Sequence, residues 1–169
     1  GVLTSDNFSF PVRNVGTLFS FDPENRGFEN LIEFGQSNDG GRYPESGLVE
    51  FKRILYGTTM FGGDNDNGII NSFDPLTGIQ RKLFDFDEFT SGSGPAAGLT
   101  LYENIFYGAT REGGLHGHGT LFSFDPSTES FQILFDFDEF TSGSMPSAAL
   151  TLYNDRLYGS TIIGGANDD

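Results

Sequence analysis

Two Gly-rich loops carry the side chains best suited to holding a cation. They are Gly63-Asp64-Asn65-Asp66-Asn67-Gly68 and Gly164-Gly165-Ala166-Asn167-Asp168-Asp169. Ca²⁺ takes about six to eight oxygen ligands, and alternating Asp and Asn oxygens in a turn supply them. Asp64, Asp66 and Asp168 are therefore the candidate calcium ligands. Neither loop has the closing acidic residue of an EF-hand, and Asp and Asn also favour turns in their own right. The corresponding middle loop holds His116 and His118, the only histidines of the chain. A His-x-His pair can ligate zinc, but Glu112 is the one carboxylate nearby and the other loops have no His, so a surface loop is the simpler reading. With Arg111 this loop is the single polar break in an otherwise repeated pattern, which makes Arg111 a candidate ligand contact.

Aromatic rings are the second resource. Tyr56, Tyr107 and Tyr158, with Phe61, could stack on sugar rings, or they could fill the space between packed sheets. Strand-end carboxylates occur twice in the same pattern, as Asp85, Asp87, Glu88 and as Asp136, Asp138, Glu139. Glycosidase chemistry needs two carboxyls in different environments around one pocket. Identical copies in each unit point to structural duty instead. There is no Cys, no Ser/His/Asp arrangement and no phosphate-binding loop opening a helix, so no catalytic residue is assigned and the chain reads as non-enzymatic.

The elements that position these residues repeat. Leu55-Tyr56-Gly57-Thr58-Thr59 returns as Phe106-Tyr107-Gly108-Ala109-Thr110 and as Leu157-Tyr158-Gly159-Ser160-Thr161, at a step of 51 residues. Each copy is followed by a Gly-Gly pair. Such a period marks a repeat architecture. Before each motif stands a short apolar strand, 48–51, 99–102 or 150–153, joined to it by two residues: Lys52-Arg53, Glu103-Asn104 or Asn154-Asp155. Two-residue loops between apolar runs are the strongest hairpin signal. After the Gly-rich loop come Gly16–Asp22, Gly68–Asp74 and Gly119–Asp125, each ended by Asp-Pro. Pro fixes φ for a tight turn into the next strand, at Phe28–Phe34, Gln80–Phe86 and Phe131–Phe137. A near-verbatim Phe-Asp-Glu-Phe-Thr-Ser-Gly-Ser loop, at 86–93 and 137–144, closes the period; its first copy, ending at Tyr43, is one residue longer.

Four antiparallel strands at this period predict an all-β, β-propeller-like fold with four-stranded blades; a β-solenoid is the alternative. Gly57, Gly108 and Gly159, inside strands, predict positions where another backbone or side chain approaches closely. The chain divides into a partial first blade at 1–35, blades at 47–86 and 98–137, and a half blade at 149–165. Residues 1–15 are the least regular.

Composition fits. The 169 residues include 24 Gly, 19 Phe and 6 Tyr, with no uninterrupted helical periodicity. The net charge of −15 speaks against nucleic-acid and anionic-membrane partners and permits cations. No apolar run approaches the roughly 18 residues of a membrane span. No signal peptide is visible, and the chain begins at Gly1.

The series Leu-Tyr-Gly-Thr-Thr, Gly-Gly, Gly-Thr-Leu-Phe, a Leu-Phe-x-Phe strand and a Pro-x-x-Gly-Leu hairpin resembles the Gloeo/Verruco tandem repeat, GloVer, over about residues 16–165. The resemblance implies a secreted or surface-anchored bacterial protein of many tandem copies, kelch-like in layout. It implies no activity and no catalytic residues. Two functional classes follow: a structural or adhesive surface module, and a carbohydrate-binding or carbohydrate-active propeller. The half blade at 149–161 and the strands at 16–35 complement each other. The expected partner is therefore another copy, joined head-to-tail in a ring or filament, or neighbouring repeats of a longer chain. Two chains in a ring would make about six blades, within the closing range.

Overall fold

The computed structural model describes residues 16–35 and 40–166. All regular structure in it is β. In chain order the strands are β1 (Thr17–Asp22), β2 (Gly27–Glu33), β3 (Gly41–Arg42), β4 (Val49–Phe51), β5 (Ile54–Thr59), β6 (Phe61–Gly62), β7 (Ile69–Asp74) and β8 (Ile79–Asp85). They continue as β9 (Thr100–Tyr102), β10 (Ile105–Thr110), β11 (Thr120–Asp125), β12 (Ser130–Asp136), β13 (Ser144–Pro146), β14 (Thr151–Tyr153), β15 (Arg156–Tyr158) and β16 (Thr161–Ile163). No helix is long and apolar enough to cross a membrane among the described residues.

Two antiparallel sheets have four strands, β4-β5-β7-β8 and β9-β10-β11-β12. Flanking them are the hairpins β1-β2 and β14-β15. Local chemistry explains the hairpins. Both residues of each two-residue turn lie at positive φ: Lys52 and Arg53 at 52° and 66°, Glu103 and Asn104 at 49° and 66°, Asn154 and Asp155 at 47° and 57°. Paired positive φ values are those of a type I′ turn, whose twist matches the strands it joins. The other turn is held by its leading aspartate. Asp74 accepts hydrogen bonds from Leu76 N (2.8 Å) and the Thr77 hydroxyl (2.7 Å), and Asp125 does the same with Ser127 N (2.8 Å) and Thr128 (2.9 Å).

The core lies between sheets. Phe51, Tyr56, Ile70 and Phe86 from the blade at 47–86 meet Leu99, Phe106, Phe122 and Phe124 from the blade at 98–137. Phe84 stacks on Phe131 at 4.0 Å and 7°, and Phe86 meets Phe122 edge-on at 5.3 Å. Each fully buried ring contributes on the order of 1.5–3 kcal/mol. A smaller cluster, Leu18, Phe34 and Phe73, joins β1-β2 to the blade at 47–86. Central β7 is therefore buried from Ile69 to Phe73 with no alternation, because it has a neighbour on both faces.

Adjacent units are also clasped by backbone pairing. β3 pairs with β6, Ser93 bridges to Glu112, and β13 pairs with β16. In each clasp a glycine of the loop before the blade, Gly41, Gly92 or Gly143, lies against the threonine that closes the Tyr-Gly sequence motif. A Cβ there would stand 2.1–2.2 Å from the hydroxyl of Thr59, Thr110 or Thr161.

Candidate functional site

The loop at Gly63–Gly68 is tied in on every side. Asp64 donates its N–H to Asp85 Oδ1 (3.0 Å), and its carboxylate pairs with Lys82 (3.3 Å). Lys82 also holds Asp85 at 2.6 Å, and the hydrogen bond it donates to Asp85 leads the influences that raise the lysine's pKa. Asp66 turns the other way, accepting from Gly62 N (2.9 Å) and pairing with Arg42. Its partial burial pushes its pKa upward, but the hydrogen bonds from Arg42 and Gly62 and the guanidinium charge outweigh that, so the net movement is below the usual carboxylate value. Asp64 and Asp66 thus each face a different cation. Among the described residues, no three His, Asp or Glu side chains gather in a metal-sized group. Asp168 lies outside the described residues.

The repeated strand-end carboxylates cap loops. Asp87 accepts from Phe89 N (3.1 Å), Thr90 N (3.0 Å) and the Thr90 hydroxyl (3.0 Å), and its own N–H donates to Ser91 Oγ at 2.7 Å. The Thr90 hydroxyl, then the Thr90 N–H, hold Asp87 below its ordinary pKa. Asp138 repeats the arrangement with Phe140, Thr141 and Ser142. Asp136 receives Leu115 N at 2.7 Å, as Asp85 receives Asp64 N. Near-verbatim repetition of Phe-Asp-Glu-Phe-Thr-Ser-Gly-Ser is therefore explained by a self-capping turn.

The tyrosines occupy one position in successive sheets and do not converge. Tyr56 is buried against Phe106, ring centroids 4.8 Å apart, and that burial raises its pKa, with Arg81 working against it and Glu129 with it. It borders a cleft of about 330 Å³ beside the Arg81–Glu129 ion pair (3.3 Å). Tyr107 is half-buried, 6.4 Å from Tyr102. Tyr158 is exposed, 6.5 Å from Tyr153. Arg111 follows β10 and donates its N–H to Gly94 O at 3.0 Å. The arginine is half-buried, and its Nε is buried with no hydrogen-bond partner. His118 accepts or donates at Ser144 Oγ (3.0 Å) and lies 3.9 Å from Glu139.

Equivalent places differ at the junctions between units. At the junction between the two four-stranded sheets, Phe122 of β11 fills the space above Gly108 and is fully buried. At the next junction, between the second sheet and β14-β15, a cavity of about 480 Å³ opens, lined by Leu121, Phe137, Leu150, Leu157 and Gly159 among others. One period of 51 residues earlier these are Ile70, Phe86, Leu99, Phe106 and Gly108, which surround Phe122. At the opposite end, Phe19, Phe21 and Phe28 of β1-β2 are 55–62% exposed. No residue type of evident chemistry marks these rings in the sequence. The signal was present as the hexapeptide Thr-Leu-Phe-Ser-Phe-Asp, identical in β1 and β11.

The model of the Gloeobacter/Verrucomicrobia repeat matches residues 8–169. The chain belongs to this repeat family. Among solved structures, a chain of the crystal structure of the nidogen/laminin complex is 17% identical, with a TM-score of 0.56. The match covers 87% of this chain and 48% of that one, so the repeat chain spans about half its length. That likeness concerns the fold alone, which is that of a β-propeller. No curated protein matches the chain.

Proposed function

We propose that this GloVer chain is a non-enzymatic repeat module that associates head-to-tail through its blade faces, as a structural or adhesive element outside a bacterial cell. The observation that carries this is the contrast between two copies of one sequence. Phe122 and Phe124 are fully buried in β11, while Phe19 and Phe21 of β1 stand 56% and 55% exposed. Exposed apolar faces of that kind mark interaction surfaces. The dispersal of the candidate side chains supports the non-catalytic part, since Asp85, Asp87, Asp136 and Asp138 serve loop caps and Tyr56 serves a junction. The location rests on the family resemblance and on the net charge of −15, which favours a solvated surface. Mass measurement of the 169-residue chain across micromolar concentrations tests association: species heavier than 18.4 kDa are expected, and a strictly monomeric, folded chain would sink the reading. A glycan array run with and without Ca²⁺ should remain blank.

A further inference from the structure

The cavity beside β15 and the exposed rings of β1-β2 correspond, residue by residue along the repeat, to the two halves of the filled junction around Phe122. In that junction β11 lies against β10 in a fixed register, Phe106 opposite Phe124, Tyr107 opposite Ser123, Gly108 opposite Phe122, Ala109 opposite Leu121 and Thr110 opposite Thr120. β1-β2 is a ready copy of the inserted half. It has the same hexapeptide as β11, and its pairing shifts register at Leu18/Phe19 as β11-β12 does at Leu121/Phe122. It holds its two rings alike: Phe19 and Phe28 are stacked at 5.3 Å and 25°, Phe122 and Phe131 at 5.2 Å and 29°. β14-β15 is a ready copy of the receiving half, with Thr151 opposite Tyr158 and Leu152 opposite Leu157, as Thr100 is opposite Tyr107 and Leu101 opposite Phe106. Among the described residues, β15 is paired on one edge only, by β14, and β1 on one edge only, by β2.

Resting on the head-to-tail reading above, we infer that the occupant of the cavity is Phe19 of a second copy, with β1 of that copy added to the free edge of β15. The register transfers directly: Phe21 opposite Leu157, Ser20 opposite Tyr158, Phe19 opposite Gly159, Leu18 opposite Ser160. Adding a strand to an open edge makes main-chain hydrogen bonds, while a side-chain seat supplies selectivity. Phe19 takes the place above Gly159 that Phe122 takes above Gly108. Phe28 then lies on Phe135, as Phe131 lies on Phe84. Phe28 and Phe135 are 62% and 46% exposed in the single chain, which is the state expected of two rings awaiting each other. The contact uses different surfaces on the two copies, so it closes a ring or runs on as a filament according to its rotation. Each chain carries −15 charge, and their repulsion is screened within about 8 Å near 0.15 M salt, so association strengthens as salt rises.

End-blocked variants test the seat. Phe19→Asp removes the inserted ring from an exposed position, and Ser160→Trp fills the cavity from a side chain that already lines it. Circular dichroism verifies that both fold. At 0.15 M and at higher salt, wild type is expected to form assemblies, each variant alone to run at 18.4 kDa, and an equimolar mixture to give a one-to-one dimer that grows no further. Wild-type assembly that both variants retain would overturn the seat while leaving association itself standing. A mixture that stays monomeric would also overturn it. A wild type that is monomeric throughout would remove both the seat and the head-to-tail reading. Because the chain has no cysteine, Ser20→Cys with Tyr158→Cys in one chain reads the register: oxidation should link chains end to end, and the absence of linkage in assembled protein would exclude this strand alignment.

Discussion

Substituting Gly108 tests the close packing of blades more directly than any other single change. Gly108 lies opposite Phe122 in the β10-β11 ladder, and the ring bends over it. A Cβ at residue 108 would stand 2.5 Å from Phe122 Cζ and 3.1 Å from both Cε atoms. The ring cannot swing away freely, because Phe86 sits 5.3 Å and Phe131 5.2 Å from it, and Phe122 is fully buried. Overpacking of this kind costs about 1–3 kcal/mol. Gly108→Val should therefore lower the melting temperature by about 2–12 °C, taking about 2–4 °C per kcal/mol for a domain of this size. Gly108→Ala should lose less, since alanine recovers some backbone entropy in a strand. Gly57 provides an internal comparison. Its nearest obstacle is Leu48 Cδ2 at 2.8 Å, the end of a 45% exposed side chain that can move, so Gly57→Ala should cost less than Gly108→Ala. Gly47, with nothing within 4 Å and no positive φ, should accept alanine within about 0.5 kcal/mol. The cause is isolated by a double-mutant cycle: in a Phe122→Leu background the Gly108→Ala penalty should shrink. Thermal melts by circular dichroism measure all of these. A Gly108→Val protein that melts with wild type, or a penalty indifferent to Phe122, would refute the reasoning.

Asp125 and Asp74 are held below the ordinary carboxylate pKa, Asp125 first by the Ser127 N–H and Asp74 first by the Thr77 hydroxyl. Their folded pKa values are depressed, so their contribution is complete above the unfolded value of about 3.9 and is lost as pH falls through the folded values. Asp125→Ala should therefore melt below wild type at pH 6, with the gap narrowing as the pH is taken below about 3.9; an unchanging gap would exclude the carboxylate as cause. For calcium, melting curves in EDTA and in millimolar Ca²⁺ should superimpose as far as the Gly63–Gly68 loop is concerned, because Asp64 and Asp66 already face Lys82 and Arg42. A calcium-dependent rise, which would follow RT ln(1 + [L]/Kd), would mean that the ion displaces them.

Much of the fold was legible because local chemistry and the period agree. The step of 51 residues, the two-residue turns and the Asp-Pro turns each specify a hairpin without reference to anything distant. Two turns even succeed against composition: Lys52-Arg53 and Glu103-Asn104 reach the positive φ of type I′ without glycine, so strand pairing rather than residue preference sets them. The clasps were not legible. They join segments about twenty residues apart through a two-residue ladder or a single bridge, too short to show periodicity. Their only trace is the recurrence of Gly41, Gly92 and Gly143 against Thr59, Thr110 and Thr161, which acquires meaning once the two chain segments are known to touch.

The candidate site was hard to read for a different reason. Residues with chemical capacity by type each have a partner close by: Asp87 has Thr90, Asp66 has Arg42 and Tyr56 has Phe106. In a repeat, a residue type that recurs at every period is serving the period. What distinguishes one copy from another is whether its surroundings are complete, and sequence identity conceals that. Thr-Leu-Phe-Ser-Phe-Asp reads the same at 17–22 and at 120–125, yet Phe122 is sealed while Phe19 is 56% exposed. The difference comes from the strand beside each hexapeptide, β10 for one and no described strand on that edge for the other. Stacked units each bury a face only against a neighbour. On the head-to-tail reading proposed above, the surface such a chain would use is the face with no described neighbour, and its chemistry is that of its own interior.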